Sequence, residues 1–209
     1  MRFTFIHLPE PLGHLLLAFL LGVGSYYLGL ALYRGLEFAR LRQDAFLLAE
    51  TGLPGLLAYS VLAIGLIEEL VKIVPFLLVV LRFREFDEPV DGIIYASFIA
   101  LGFAAVENLQ YLQFLDEREA YLRGFAAPVV HIVFASVWGY HIGRAHLPGR
   151  SLIRTSVKFL LLTAAAHGIY DFIVIGLPAT ALPFSALMIG ALWLWCLRLI
   201  RDLHTHYGT

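Results

Sequence analysis

Three short patterns put ionisable side chains at spacings that could do chemistry: Glu68-Glu69-x-x-Lys72, Glu107-Asn108 and His167-x-x-x-Asp171, with His131 between the last two. Glu68 and Lys72 are four residues apart, as are His167 and Asp171, so each pair shares one face of a helix. An ammonium one turn from a carboxylate supplies the counter-charge that a general base needs in a low-dielectric site. A carboxylate one turn from an imidazole can fix its tautomer and aim its other nitrogen, as the partners of metal-ligating histidines do.

The surroundings of these groups are apolar. No charge interrupts residues 53–67 or 73–81, on either side of Glu68, Glu69 and Lys72. Hydrophobic residues make up 60% of the 209 and charged ones 15%, against about 45–50% and 25% in an ordinary soluble domain. The class this implies is all-α: a polytopic membrane helix bundle forming a single integral membrane domain over residues 1–209. An ionisable residue inside a bilayer is costly and is read as functional by default. The net charge of −1 gives no reason to expect nucleic acid, and Cys196, the one cysteine, can form neither an internal disulfide nor a thiolate cluster.

Six apolar runs are expected to span, at about 12–33, 53–81, 92–115, 126–146, 157–177 and 179–197, with an amphipathic interfacial helix over 34–50 and charged loops at 82–91 and 116–123. The first run exceeds a signal-peptide core and no Ala-x-Ala follows it, so it is expected to remain as a helix. Gly22, Ser25 and Gly29, and again Gly92, Ala96, Ala100 and Ala104, form small-residue ridges suited to close packing. The second run is longer than the bilayer core requires, which predicts tilt or a break near Pro75. No repeat is visible.

Positive charge is unevenly shared between the two ends of these spans. Arg2, Arg82, Arg84, Arg144, Arg150, Arg154, Lys158, Arg198 and Arg201 fall on one side, and Arg34, Arg40, Arg42, Arg118 and Arg123 on the other. The positive-inside rule then predicts that both termini are cytoplasmic. Glu68, Glu107, His131 and His167 each lie roughly 13–16 residues, or about 20–24 Å, from the cytoplasmic-side charge on their own span. Four helices thus bring polar groups to one level, nearer the outer leaflet.

At these residues the sequence resembles the PrsW family of intramembrane proteases and, more remotely, the CAAX-prenyl-protease and bacteriocin-processing group. The family pattern of Glu-Glu-x-x-Lys, Phe-x-x-x-Glu and His-x-x-x-Asp on successive helices is matched by Glu68-Glu69-Leu-Val-Lys72, Phe103-Ala-Ala-Val-Glu107 and His167-Gly-Ile-Tyr-Asp171. The likeness covers about residues 65–175. The prenyl-protease relatives carry His where this chain has Glu107, so their substrate class does not transfer. The resemblance implies proteolysis of a membrane-anchored substrate, such as an anti-sigma factor, near its extracytoplasmic side, by a multi-pass protein of the bacterial cell membrane.

Hydrolysis of a peptide bond there needs an activated water and a stabilised oxyanion, and a divalent metal, zinc foremost, does both. Glu107, His131 and His167 would be its ligands. Glu68 or Glu69, with Lys72 behind, would be the general base, Asp171 would orient His167, and Asn108 would help hold the oxyanion. A metal-free form, in which a glutamate and a histidine activate water, stays open. His-Glu-x-x-His, Gly-x-Ser-Gly and Gly-x-Gly-Asp are absent, which disfavours other intramembrane protease classes. The main rival is an ion- or proton-coupled transporter using the same buried groups. The plain alternatives are an ion pair between helices at Glu68, Glu69 and Lys72, and an interhelical hydrogen bond at His167. His7, His14, His141, His146, His204 and His206 are expected at surfaces or interfaces. Trp193 and Trp195 are expected to face lipid or pack.

Overall fold

The computed structural model describes residues 9–147 and 151–207, with side chains through 201. His7, His204 and His206, and Arg2 and Arg150 of the charge count, lie outside the described side chains. The described residues form helices and no strand: α1 (Leu12–Phe38), α2 (Ala45–Thr51), α3 (Leu53–Tyr59), a π-helical stretch (Ser60–Gly65), α4 (Leu66–Leu78), α5 (Pro89–Tyr111), α6 (Glu117–His146), α7 (Leu152–Gly176) and α8 (Leu182–Tyr207). Five of them, α1 and α5 to α8, are long and apolar enough to cross a membrane. The unbroken helical run 53–78 is about 39 Å long at helical rise, the length that the expected sixth span needs.

The central pair is α5 and α6, with α1 against α5 and α4 wedged between α1, α5 and α7. Both ridges do what their small residues suggest. Gly22 and Gly29 with Ala18 and Ser25 form the buried face of α1, and Gly92, Ala96, Ala100 and Ala104 lie buried on α5. A Cβ at Gly92 would overlap the backbone of Gly139 on α6, so this crossing is backbone against backbone. The buried core holds Phe76, Tyr95, Ile99, Trp138 and Ile142. Outward residues such as Leu12, Leu20, Leu62 and Leu187 are exposed and apolar, as a lipid-facing surface requires.

Three local expectations are corrected. The stretch 34–50 is not one interfacial helix. α1 continues to Phe38, the chain turns through Arg40 at φ 58°, and α2 starts only at Ala45. Asp44 starts it, its Oδ1 accepting from the amides of Phe46 and Leu47. The charged stretch 116–123 is not a loop but the first turns of α6, because Asp116 and Glu119 form a reciprocal capping box. The long second run departs from α geometry at Ser60–Gly65, not at Pro75, which α4 passes by one further turn to Leu78. The cause is a close crossing: a Cβ on Gly65 would meet the Ala164 carbonyl, and one on Gly168 would meet the backbone of Ser60 and Val61. The stretch that departs from α geometry is the one that crosses α7 at this distance.

Candidate metal and catalytic site

Directly after the π stretch, Glu68 and Glu69 leave α4 in different directions, since neighbours on a helix point about 100° apart. Glu69 is fully buried and turned into protein. Its Oε1 accepts from Lys72 Nζ at 2.7 Å and sits 2.8 Å from His167 Nδ1, and its Oε2 accepts from the indole N–H of Trp138 at 2.9 Å. The ion pair of Lys72 is therefore with Glu69, one residue nearer than the Glu68 that its four-residue spacing suggested. Both partners are 0% exposed, so the pair depends on further contacts: Glu69 also bonds His167 and Trp138, and Lys72 also bonds His131.

Lys72 also reaches His131 on α6, its Nζ 2.9 Å from Nδ1 and 4.6 Å from the Phe103 ring centroid. An ammonium can only donate, so Nδ1 accepts and Nε2 carries the proton. That proton points at Glu107 Oε2, 3.1 Å away. The same oxygen is 3.1 Å from Arg123 Nη2, whose guanidinium lies 3.7 Å over the Tyr111 ring. A continuous polar chain thus runs from Arg123 through Glu107, His131, Lys72 and Glu69 to His167.

The other nitrogen of His167 faces a different setting. Nε2 lies 3.7 Å from Glu68 Oε2 and 3.7 Å from Asp171 Oδ2. That separation exceeds a hydrogen bond but suits two ligands of one ion, which sit about 3.4 Å apart when bonds are ~2.1 Å. Phe134 stacks on the ring at 4.9 Å and His131 meets it edge-on at 5.1 Å. Donor atoms of Glu68, His131 and His167 all come within 4.8 Å of one another, a possible metal site. The carboxylate bonded to the His167 ring is Glu69, while Asp171 faces Nε2 across a gap.

The donor set fits a divalent cation on a second count, that of charge. Glu68, Glu69, Glu107 and Asp171 bring four carboxylates, and Lys72 and Arg123 bring two cations. His131 cannot be cationic while Lys72 donates to it. With His167 neutral, as a ligand must be, two carboxylate charges are left over for a divalent ion to balance. The imidazole–carboxylate bond at His167 Nδ1 is the outer partner that such ligands use.

Glu68 and Glu107, 7% and 9% exposed, both line a cavity of about 700 Å³. Phe103 and Ile64 lie beside them, Tyr26, Tyr33, Tyr59 and Tyr111 form its walls, and the α1–α2 connection forms its rim. Asn108 lines no part of this cavity, and its buried Oδ1 has no hydrogen-bond partner among the described residues. Seven of the eight sequence-derived candidates are therefore brought together, and Asn108 stands apart. His14 stacks on Phe83, His141 on Phe159, and His146 lies against Phe86. Trp193 is exposed, and Trp195 packs by His141.

Two members of the cluster were not foreseen. Trp138 is two helical turns beyond His131 on α6, a spacing that signals a shared face. Arg123 was hidden by the loop reading of 116–123. The pattern Asp116-x-x-Glu119 was its available signal.

Comparison with known proteins places the chain in a family. A family model described as PrsW family intramembrane metalloprotease matches residues 10–197. Protease PrsW of Oceanobacillus iheyensis is 35% identical over 138 residues, 66% of this chain and 63% of that protein. Protease PrsW of Clostridioides difficile is 33% identical over 171 residues, 78% of this chain and 68% of that protein. Protease PrsW of Bacillus subtilis is 33% identical over 122 residues, 56% of this chain and 55% of that protein. The chain thus spans between about half and two thirds of the length of these relatives. No solved structure matches it. Since the matched stretch runs from the start of α1 into α8 and takes in every side chain of the cluster, the chain belongs to the PrsW family.

Proposed function

We propose that the chain is an intramembrane peptidase that hydrolyses a membrane-anchored protein on its extracytoplasmic side, an anti-sigma factor being the substrate class that the resemblance suggests. The observation that carries this reading is the pairing of His167, held at Nδ1 by Glu69, with a Glu68 that has no hydrogen bond among the described residues and lines a cavity. A transporter would give the cavity no need of an aimed imidazole beside an unbonded carboxylate, and family membership also disfavours it.

Glu68 is assigned as the general base. It is the carboxylate left free to take a proton from water, whereas Glu69 is committed to Lys72, His167 and Trp138. Glu107, His131 and His167 would hold a divalent metal, zinc by the chemistry of the donor set. Glu107 is suited to this because ligating carboxylates are themselves hydrogen-bonded, as it is by Arg123. When bound, the ion would polarise the scissile carbonyl and acidify water. Glu69 holds the His167 tautomer that leaves Nε2 free, whereas His131 would have to trade its Nε2 proton for the ion, with the Lys72 contact at Nδ1 rearranged. Asp171, facing His167 Nε2, is placed to orient water or the leaving amine. Asn108 would have to turn toward the cavity to help hold the oxyanion. The site lies toward the end of the bundle where α1 and α5 finish, extracytoplasmic if both termini are cytoplasmic.

The distances favour one variant of this scheme, in which Glu68 replaces Glu107 as the third ligand. Metal content separates the two. Glu107→Gln should lose stoichiometric zinc and Glu68→Gln should keep it; the reverse result exchanges their roles. The activity itself is tested by comparing membrane proteomes of cells carrying the wild type and Glu68→Gln. A membrane-anchored protein that accumulates uncut only with the variant is expected, and identical proteomes would sink the peptidase reading.

A further inference from the structure

We infer that Tyr33 on α1 is a further catalytic residue, its phenol O–H donating to the oxyanion that forms on the scissile carbonyl. This rests on the peptidase reading of the site. In that reading water bonds through its oxygen to the carbonyl carbon, the C=O electron pair moves onto the carbonyl oxygen, and Glu68 takes one proton of the water. Collapse re-forms the C=O bond, breaks the C–N bond and sends that proton to the departing amine. Tyr33 keeps its own proton throughout, since a phenol is a neutral donor at about pH 7.

The first ground is elimination among the donors. An oxyanion needs a hydrogen-bond donor aimed at the place where its charge develops. Lys72 and Arg123 are paired with Glu69 and Glu107, and Arg42 with Glu37 at the rim. Asn108 lines no part of the cavity, and Gln43 and Gln110, which do, are exposed. The donors left along its walls are tyrosine hydroxyls.

The second ground is register, which singles out one tyrosine. A Cβ on Gly29 would meet Val71 Cγ2 at 3.8 Å, so Gly29 of α1 is level with Val71 of α4. Farther along α1, Tyr33 shares the cavity with Tyr59 and Ile64, which come earlier on the run 53–78. The two helices are therefore antiparallel, and Tyr33, one turn beyond Gly29, comes level with Ile67 and Glu68, one turn before Val71. The packing agrees, since Tyr33 lies against the buried cluster of Ile67, Val71 and Phe103. Of the carboxylates, Glu68 acts most strongly on the Tyr33 hydroxyl, ahead of Asp171 and Glu107. For Tyr26 and Tyr111 Glu107 comes first. Tyr33 is thus the phenol beside Glu68 and Asp171, where cleavage would take place.

The third ground is that the fold has no use for this hydroxyl. Tyr33 is half-buried, and its O–H has no hydrogen-bond partner among the described residues. Packing on Ile67 and Val71 accounts for the ring but would be served as well by phenylalanine, and burying a polar group without a partner is destabilising. The packed ring holds the donor in place ahead of the reaction, which is the condition for stabilising charge as it develops.

The test uses the full chain in detergent micelles. The substrate is the membrane-anchored protein that accumulates uncut in cells carrying Glu68→Gln. Tyr33→Phe should lower kcat by about 10²–10³-fold, the usual worth of one oxyanion donor, with KM and the thermal transition unmoved. Tyr33→4-aminophenylalanine, a weaker donor of nearly the same size, should recover part of that loss. Tyr33→3-fluorotyrosine, a stronger donor, should raise kcat above the wild type. A role in packing alone would not rank these side chains by donor strength. Wild-type kcat in Tyr33→Phe overturns the inference, and so does a loss confined to KM. If Tyr33→Phe does not fold, the amino and fluoro variants decide, and equal kcat for the two overturns it. The peptidase reading is judged by the wild type: failure to cut the accumulated protein overturns that reading and the inference with it, whereas equal cutting by wild type and Tyr33→Phe overturns the inference alone.

Discussion

The cluster has two halves built from the same residue types and doing opposite things. In the half around Glu69, Lys72 and His131, every charged atom is matched by a protein partner at 2.7 to 3.1 Å. In the half around Glu68, His167 Nε2 and Asp171, the nearest polar approaches are 3.7 Å. A buried polar group without a partner is destabilising, so the second half persists because the first, with the helices behind it, over-determines its geometry. The difference teaches how to tell a working carboxylate from a structural one in a membrane interior: by what it is not bonded to.

The comparison can be broken most sharply at the two adjacent glutamates. Glu68→Gln should lower cleavage by about 10²–10⁴-fold, the usual worth of a general base, with the melting temperature unmoved. A variant that melts earlier would place Glu68 in the bonded half. Lys72→Met, which strands Glu69, should destabilise the protein by about 3–5 kcal/mol, read as an earlier thermal transition. Restoring neutrality in Glu69→Gln with Lys72→Met should recover most of that loss, because removing both charges leaves neither buried alone; a double variant less stable than either single one contradicts the pairing. Trp138→Phe keeps the ring and removes its donor, for about 1–3 kcal/mol of stability and a small change in turnover. The smallest effect is expected for Arg123→Gln. Part-exposed and stacked on Tyr111, Arg123 should show its loss mainly as weaker zinc retention at Glu107 in a chelator titration.

Much of this was legible in the sequence. Apolar runs separated by charge give the bundle, small-residue ridges give its closest crossings, and depth along each span gives the shared level of Glu68, Glu107, His131 and His167. What was hidden lay where local chemistry overrides hydropathy. The capping box at Asp116 and Glu119 turns a polar stretch into helix and so brings Arg123 onto α6. The left-handed Arg40 ends what looked like one amphipathic helix. The division of labour between Glu68 and Glu69 was out of reach, because it depends on the rotation of α4 about its axis, which composition does not encode.

That rotation has a source in the π stretch of Ser60–Gly65. A turn closed by i→i+5 bonds contains one more residue than the α turn it replaces, and so acts as a phase shift for everything after it. Closing 60–65 as α-helix with every residue kept would turn the following motif by about 100°, the angle between two neighbouring side chains. Glu68 would then take the direction that Glu69 has now, with Glu69 and Lys72 carried off their partners. Removing one residue at the same time would restore the phase. In the proposed scheme, which glutamate faces the cavity thus depends on the length of one helix turn just upstream.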